Sequence, residues 1–469
     1  MKRLNPLDAS WLSVESHDTP MHVGNLQIFS LPKNAPDDFL GQLLTRIKSE
    51  RNYSAPWNLK LRNPKLGGVL AAWKVDNNLD LDYHVRHSAL PAPGGERELG
   101  VLISRLHSHQ LDFKRPLWEC HVIEGLENNR FALYTKMHHS LIDGVSGVRL
   151  LQRILSTDPN DLVMPAPWTV QPDRTRSAET PNEAAQSAEQ VAVKALRGKG
   201  GSSVPQLIKA LTRIMRGSPT NENGLTGPFS GPISVLNRRV TGQRRFATQQ
   251  YDLSTLKGLA KHFSCSLNDI VLYLSSTALR RFMEESNTLP KKPLITGIPV
   301  NVRPKDDQGT GNAISFMIAN LATDVADPLS RLETIKASTE KAKEHLQALP
   351  RDALMKYTVV LMAPYMLQLI TGLGGRVKPV FNVTISNVPG PDQPLYFNGA
   401  KLEAMYPVSL IAHGGALNIT CLSYAGTLNF GFTGCRDTLP HMQRLAVYTG
   451  EALQELVALA APQSKRRQA

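Results

Sequence analysis

The chain has 469 residues, 41% of them hydrophobic and 20% charged, with a formal net charge of +13. That apolar content excludes wholesale disorder, and the length exceeds one ordinary core, so two domains are expected. The charge suits an anionic partner such as a phosphate-bearing ligand or an acidic lipid surface; without zinc-finger spacing, an RRM-like signature or basic blocks interleaved with aromatics, nucleic acid is not expected.

The N-terminal MKRLNPLDASWLSVES lacks the apolar core of a signal peptide, which favours a cytoplasmic protein. Residues 1–160 read as mixed α/β. LQIFSL (26–31) and RFALYTKM (130–137) alternate as strands, and 37–50 and 95–110 repeat as amphipathic helices. WECHVIEGLENNRFALYTKM predicts a hairpin turning at GLENN. From 161 to 227 a Pro-rich, then Ala-rich and polar segment reads as a linker, with a basic amphipathic helix at 204–217 that can lie on a membrane or across a domain seam. Residues 228–460 form a second mixed block, and 461–469 a basic tail. In the second block, residues 256–285 read as two helices broken near Ser264–Asn268; PLITGIPVNVR, FNVTISNVPGP, ALNITCLSY and TLNFGFTG as strands; and 437–460 as a terminal helix. Both blocks lay helices over a β framework, which predicts two similar α/β (α+β) domains. The uncharged stretch 357–375 is long enough to span a bilayer, but Pro364, Gln368 and three glycines favour a buried or surface-lying helix. Four scattered cysteines (Cys120, Cys265, Cys421, Cys435) make no CxxC and read as reduced, packed thiols.

The densest chemical signal is MHHSLIDG (137–144), at a strand-to-helix junction. A histidine fixed there can serve as a general base, taking a hydroxyl proton as that oxygen attacks an acyl carbonyl. His138 and His139 are both candidates; neighbours at a strand end point to opposite sides, so one faces the cleft. For Asp143, a structural role, an ion pair with an arginine that pins the loop, is favoured over orienting an imidazole. Gly144 is read as permitting a tight backbone. The oxyanion formed on attack needs donors aimed at it, and Asn268, Thr384, Ser386 and Asn387 of the second block are candidates, so the site is expected between the two domains. Met362 and Met366, with Leu367 and Leu369, suit an adaptable acyl-chain lining, and Met405 is a further candidate. There is no GxSxG elbow, dinucleotide fingerprint or P-loop. Adjacent histidines seldom chelate one ion, so no metal and no cofactor is expected.

At MHHSLIDG the chain resembles the bacterial wax ester synthase/diacylglycerol acyltransferase family, and is especially similar to its Marinobacter-type members. The resemblance continues through LDASWLSVESHDTPMHVG, PLWE (116–119), SLNDIVL, PVNVRPKDDQGTGNAISFM and FNVTISNVPGP, covering nearly the whole chain outside the linker. It implies two chloramphenicol-acetyltransferase-like, CoA-dependent acyltransferase domains joined by a long crossover, with a channel between them. It implies transfer of a fatty acyl group from acyl-CoA, as substrate, to a fatty alcohol or a diacylglycerol. It also implies peripheral contact with the inner membrane face or lipid inclusions. Carried over by motif, His139 is the general base, His138 its neighbour, Asn268 and Asp269 the ND pair near the site, and Pro116, Leu117 and Trp118 a segment beside the substrate channel. Two alternatives remain at this stage: condensation of acyl groups delivered by a carrier protein, and a lipid-inclusion binding protein without catalysis.

Overall fold

The computed structural model describes residues 2–4, 6–66, 68, 71–171, 225–301, 314–348 and 351–461. The helix expected at 204–217, the Gly-rich stretch near 309–311 and the tail from 462 lie outside these residues.

Two six-stranded sheets organise the molecule. The first runs Tyr396–Phe397, Ala400–Val408, His22–Ser30, Arg130–His138, Trp118–Leu126, Val85–Ala89. The second runs Ile314–Asn320, Ile295–Asn301, Val383–Val388, Leu417–Tyr424, Thr427–Cys435, Arg244–Asp252. The expected hairpin is present: Trp118–Leu126 pairs antiparallel with Arg130–His138. Asn128 and Asn129 take φ of 62° and 52° at its turn. Two consecutive left-handed residues match the right-handed twist of the flanking strands, and asparagine tolerates that conformation better than most residues. The helix break near Ser264 has the same origin, with Ser264 at φ 50° between Leu253–His262 and Leu267–Glu285. Ser266 restarts the chain as N-cap, in a capping box with Asp269.

The sheets do not follow the expected division at residues 161–227. Ala400–Val408, deep in the second block, pairs with His22–Ser30 and completes the first sheet. Leu395, Phe397, Leu402 and Met405 join the apolar cluster of Phe29, Phe131 and Trp118. In the other direction, the edge strand Arg244–Asp252 of the second sheet lies against the helix Glu96–Ser108. Its backbone N–H groups at Arg244 and Phe246 donate to the hydroxyls of Ser108 (2.8 Å) and Ser104 (2.9 Å). Those bonds occupy edge donors that would otherwise lack a partner, so the two halves are joined by main-chain groups as well as by packing.

Residues 357–375 form the end of a helix, Arg351–Ile370, followed by turns. No helix among the described residues is long and apolar enough to cross a membrane. All four cysteines are free, and Cys120, Cys421 and Cys435 are buried.

One face of the first sheet is unusually rich in buried polar groups. Burial opposes ionisation of Glu119, but His121, Lys136 and Arg86 outweigh it and hold its pKa at about 2. Lys136 Nζ lies 3.2 Å from Glu119 and donates to the carbonyls of Leu106 and His109. His107 bonds Tyr134 through Nδ1 (2.7 Å) and the Ser409 carbonyl through Nε2 (3.1 Å). Burial pushes His84 down to about 4 and His107 to about 3, and lowers His22 and His121 as well. An unfolded chain therefore takes up protons below about pH 6.5 that the folded chain refuses, and folding is penalised as pH falls from there through about 4. The melting temperature should be several degrees lower at about pH 5 than at about pH 7.5. Equal values would show that these histidines are not held neutral.

Candidate active site

His138 ends its strand fully buried, and His139 follows it, partly buried. His138 is surrounded by groups that fix its tautomer. The Ser140 backbone N–H donates to its Nδ1 at 3.1 Å, so that nitrogen carries a lone pair. The Ser140 hydroxyl lies 2.6 Å from the same atom and donates to it. Nε2 then carries the proton and donates to Glu15 Oε2 at 2.6 Å. Glu15 also accepts the Met21 N–H at 3.1 Å and the Gln110 amide at 3.3 Å. The Met21 carbonyl accepts the His139 N–H at 2.8 Å, and the Leu117 carbonyl accepts that of His138 at 3.0 Å. One buried carboxylate thus holds the His138 ring directly and the His139 backbone through Met21.

The His139 ring packs on Trp11, with centroids 4.4 Å apart and planes inclined 35°. Burial pushes its pKa down to about 4, against the opposing pull of the Asp143 carboxylate. The ring is therefore a neutral acceptor through the physiological range. Trp11 comes from the helix Pro6–Val14, which also packs against Arg351–Ile370.

Asp143 is the N-cap of the helix Gly144–Gln152, accepting the Ser146 N–H (2.8 Å) and hydroxyl (2.9 Å). The brace takes the form of a helix cap, whose loss costs about 1 kcal/mol. Gly144 departs from its expected role. Its φ lies outside the left-handed region, and a Cβ there would meet nothing within 4 Å. Neither backbone nor packing requires a glycine, and the position is exposed.

The remaining candidates divide. Asn268 stands at the start of Leu267–Glu285, its Nδ2 buried with no partner among the described residues, so it is an available donor. Asp269 is not available. Its Oδ2 accepts the Ser266 N–H (2.8 Å) and hydroxyl (2.6 Å), and its Oδ1 accepts Thr339 (2.6 Å). Thr384 and Ser386 lie on one face of their strand and Asn387 on the other, with buried Val383 and Ile385. Thr384 and Ser386 pair with Asn418 and Thr420 of the next strand, forming a polar face. Ser409 joins it through Thr420 (2.9 Å), and its carbonyl also meets His107 of the first half. This face therefore looks onto the seam.

Pro116, Leu117 and Trp118 are all buried. Trp118 does not line an open channel: it stacks on His84 and Trp168 and donates to the Trp57 carbonyl at 2.7 Å. Its segment serves the site through the Leu117 carbonyl under His138. Met405 is buried opposite Gln27. Met362 and Met366 are partly buried, Met362 against the Phe381 cluster, whereas Leu367 is exposed. Trp11, Glu15, Met21 and Ser140 were not singled out from sequence. Glu15 sits in a quoted motif, but no periodicity marks it.

Two predictions follow from this geometry. Gly144→Ala should melt no lower than wild type, because the position is open and alanine suits a helix; a lower melting temperature would show that the site requires glycine. Glu15→Ala should lower kcat by roughly 10–100-fold with little change in KM. Glu15→Gln, which keeps an acceptor oxygen for His138, should recover most of that loss. Equal losses in both variants would assign the effect to charge rather than to position.

Comparison with known proteins identifies the lineage. The family model for the wax ester synthase/diacylglycerol acyltransferase catalytic domain matches residues 4–271, and that for the WS/DGAT C-terminal domain matches 310–457. A putative diacylglycerol O-acyltransferase of Mycobacterium tuberculosis is 48% identical over 97% of both chains. The O-acyltransferase WSD of Acinetobacter baylyi is 40% identical, over 97% of this chain and 96% of its own. The solved wax ester synthase/diacylglycerol acyltransferase from Marinobacter aquaeolei VT8 superposes with a TM-score of 0.80 at 38% identity, covering 98% of this chain and 100% of that one. A condensation domain of the calcium-dependent antibiotic synthetase, at 16% identity and TM-score 0.56, shares the fold alone. With its histidine pair at the strand end and both family domains matched, the chain belongs to the wax ester synthase/diacylglycerol acyltransferase family.

Proposed function

We propose that this chain transfers a fatty acyl group from acyl-CoA to the hydroxyl of a long-chain alcohol or a diacylglycerol, with His139 as general base. The observation that carries the residue assignment is the pair of environments at the strand end. His138 has both ring nitrogens engaged by other residues, whereas the neutral His139 ring meets its own backbone and Trp11.

The reaction needs no covalent enzyme intermediate. The acceptor oxygen attacks the thioester carbonyl as its proton passes to His139, forming a C–O bond and a tetrahedral oxyanion. Asn268 Nδ2 and the hydroxyls of Thr384 and Ser386 are the donors offered to that oxyanion. Collapse breaks the C–S bond, and CoA leaves as a thiolate that takes the proton back from the imidazolium. A ring with a pKa of about 4 is a modest base but a strong acid once protonated, so the return step is downhill, while the first transfer must be concerted with attack. Trp11, tilted against the ring at 4.4 Å, supports the transient cation. No resident cofactor or metal enters this scheme; acyl-CoA is consumed as substrate.

Long-chain acceptors are insoluble in water, so the proposal includes peripheral contact with a membrane face or a lipid inclusion. The net charge of +13 favours an anionic surface. Four free thiols fit a reducing, cytoplasmic compartment.

Thiol release from palmitoyl-CoA with hexadecanol, in the absence of any carrier protein, tests the reading. His139→Ala should fold with wild-type spectra and lose at least about 100-fold in kcat. Full activity in that variant would overturn the assignment, and a requirement for a carrier protein would overturn the choice of donor.

A further inference from the structure

Four large apolar side chains stand in solvent at one place. Leu367 is 50% exposed, Ile370 59%, Leu373 41% and Val377 39%. They lie on the last turn of the Arg351–Ile370 helix and the loop that follows. Scattered exposed apolar residues need no explanation, but four within eleven positions do. The loop is held in place. Gln368 Nε2 donates to the Lys378 carbonyl at 2.9 Å, the Gly374 N–H to the Gln368 carbonyl at 3.2 Å, and Arg239 to the Gly372 carbonyl at 3.1 Å. A Cβ on Gly374 would strike the His413 carbonyl, and one on Gly375 the Arg239 backbone. The apolar groups are thus presented by a fastened loop that has no room to fold them inward.

The charge carried on the loop itself has one sign. Arg376 and Lys378 are exposed on the loop, and Arg238 and Arg239 are exposed beside it. Residues 353–391 contain no Asp or Glu. A second copy of this chain, itself at +13, would bring like charge to the same place.

We propose that this apolar tip and its basic rim are the surface by which the enzyme docks on an anionic phospholipid layer. Side chains such as these enter the headgroup–acyl boundary while arginine and lysine remain with the phosphates. The helix that carries the tip packs on Pro6–Val14, whose Trp11 lies on His139. A layer docked at the tip is therefore joined to the reacting histidine by one pair of packed helices. The proposal rests on the peripheral contact proposed above and names its place.

The test uses the full chain and co-sedimentation with vesicles of phosphatidylcholine alone or mixed with phosphatidylglycerol. Wild type should bind the mixed vesicles, more weakly at high salt. Ile370→Gln/Leu373→Gln/Val377→Gln should bind at least about tenfold more weakly, with an unchanged melting temperature and unchanged thiol release with a short, water-soluble alcohol. Arg376→Glu/Lys378→Glu should lose the preference for phosphatidylglycerol. Equal binding by wild type and the triple variant would overturn the assignment of this surface while leaving peripheral contact intact. Failure of wild type to bind either vesicle would overturn both, and the soluble-alcohol assay reports separately whether acyl transfer itself stands.

Discussion

The hydrogen bond between Glu15 and His138 is the contact on which the rest of the site depends. It is short, 2.6 Å, and joins groups 123 residues apart with little solvent on either side. A buried carboxylate without partners costs several kcal/mol, so Glu15 must be answered by donors, and His138, Met21 and Gln110 answer it. The consequence reaches His139 through Met21, whose N–H is held by Glu15 and whose carbonyl holds the next histidine. Two adjacent residues with the same side chain are in this way given different surroundings: one ring closes a bond to Glu15, the other lies against Trp11.

The two sheets contribute in different ways. The first carries the histidines and is made rigid by its buried polar face, where Lys136 holds Glu119 and two backbone carbonyls and His107 holds Tyr134 and the Ser409 carbonyl. The second offers hydroxyls and the Asn268 amide nitrogen, which has no partner among the described residues. Ala400–Val408 prevents the two halves from separating as independent bodies, because it belongs to the second block by sequence and to the first sheet by pairing. A site spread over both halves is held in register by that crossing and by the serine hydroxyls that cover the edge strand Arg244–Asp252.

Local signals were legible before the fold was seen. The asparagines of the hairpin turn, the helix break near Ser264–Asn268 and the strand-to-helix junction at MHHSLIDG all follow from chemistry within a few residues. Asn387 is grouped with Thr384 and Ser386 from the sequence, although side-chain direction in a strand has a period of two and puts it on the opposite face. What lies far apart along the chain was not legible. Nothing in LDASWLSVES says that Glu15 will meet a histidine of another strand, and nothing in EAMYPV says which sheet it will join. Trp118 shows a different limit: a motif can mark a neighbourhood while its largest side chain serves the core, and its backbone carbonyl serves the site. Gly144 shows the opposite case, a glycine that reads as a turn requirement and proves to be an open space.

The account stands on a neutral His139 beside a His138 locked with its proton on Nε2. Nitrogen-15 NMR of the histidine-labelled enzyme across roughly pH 4 to 8 reads both properties directly. The account predicts that the neutral ring of His138 shows a bare Nδ1 and a protonated Nε2, and that His139 remains neutral until the pH nears about 4. A His139 that takes up its proton near the ordinary imidazole value, or a His138 protonated on Nδ1, would contradict it.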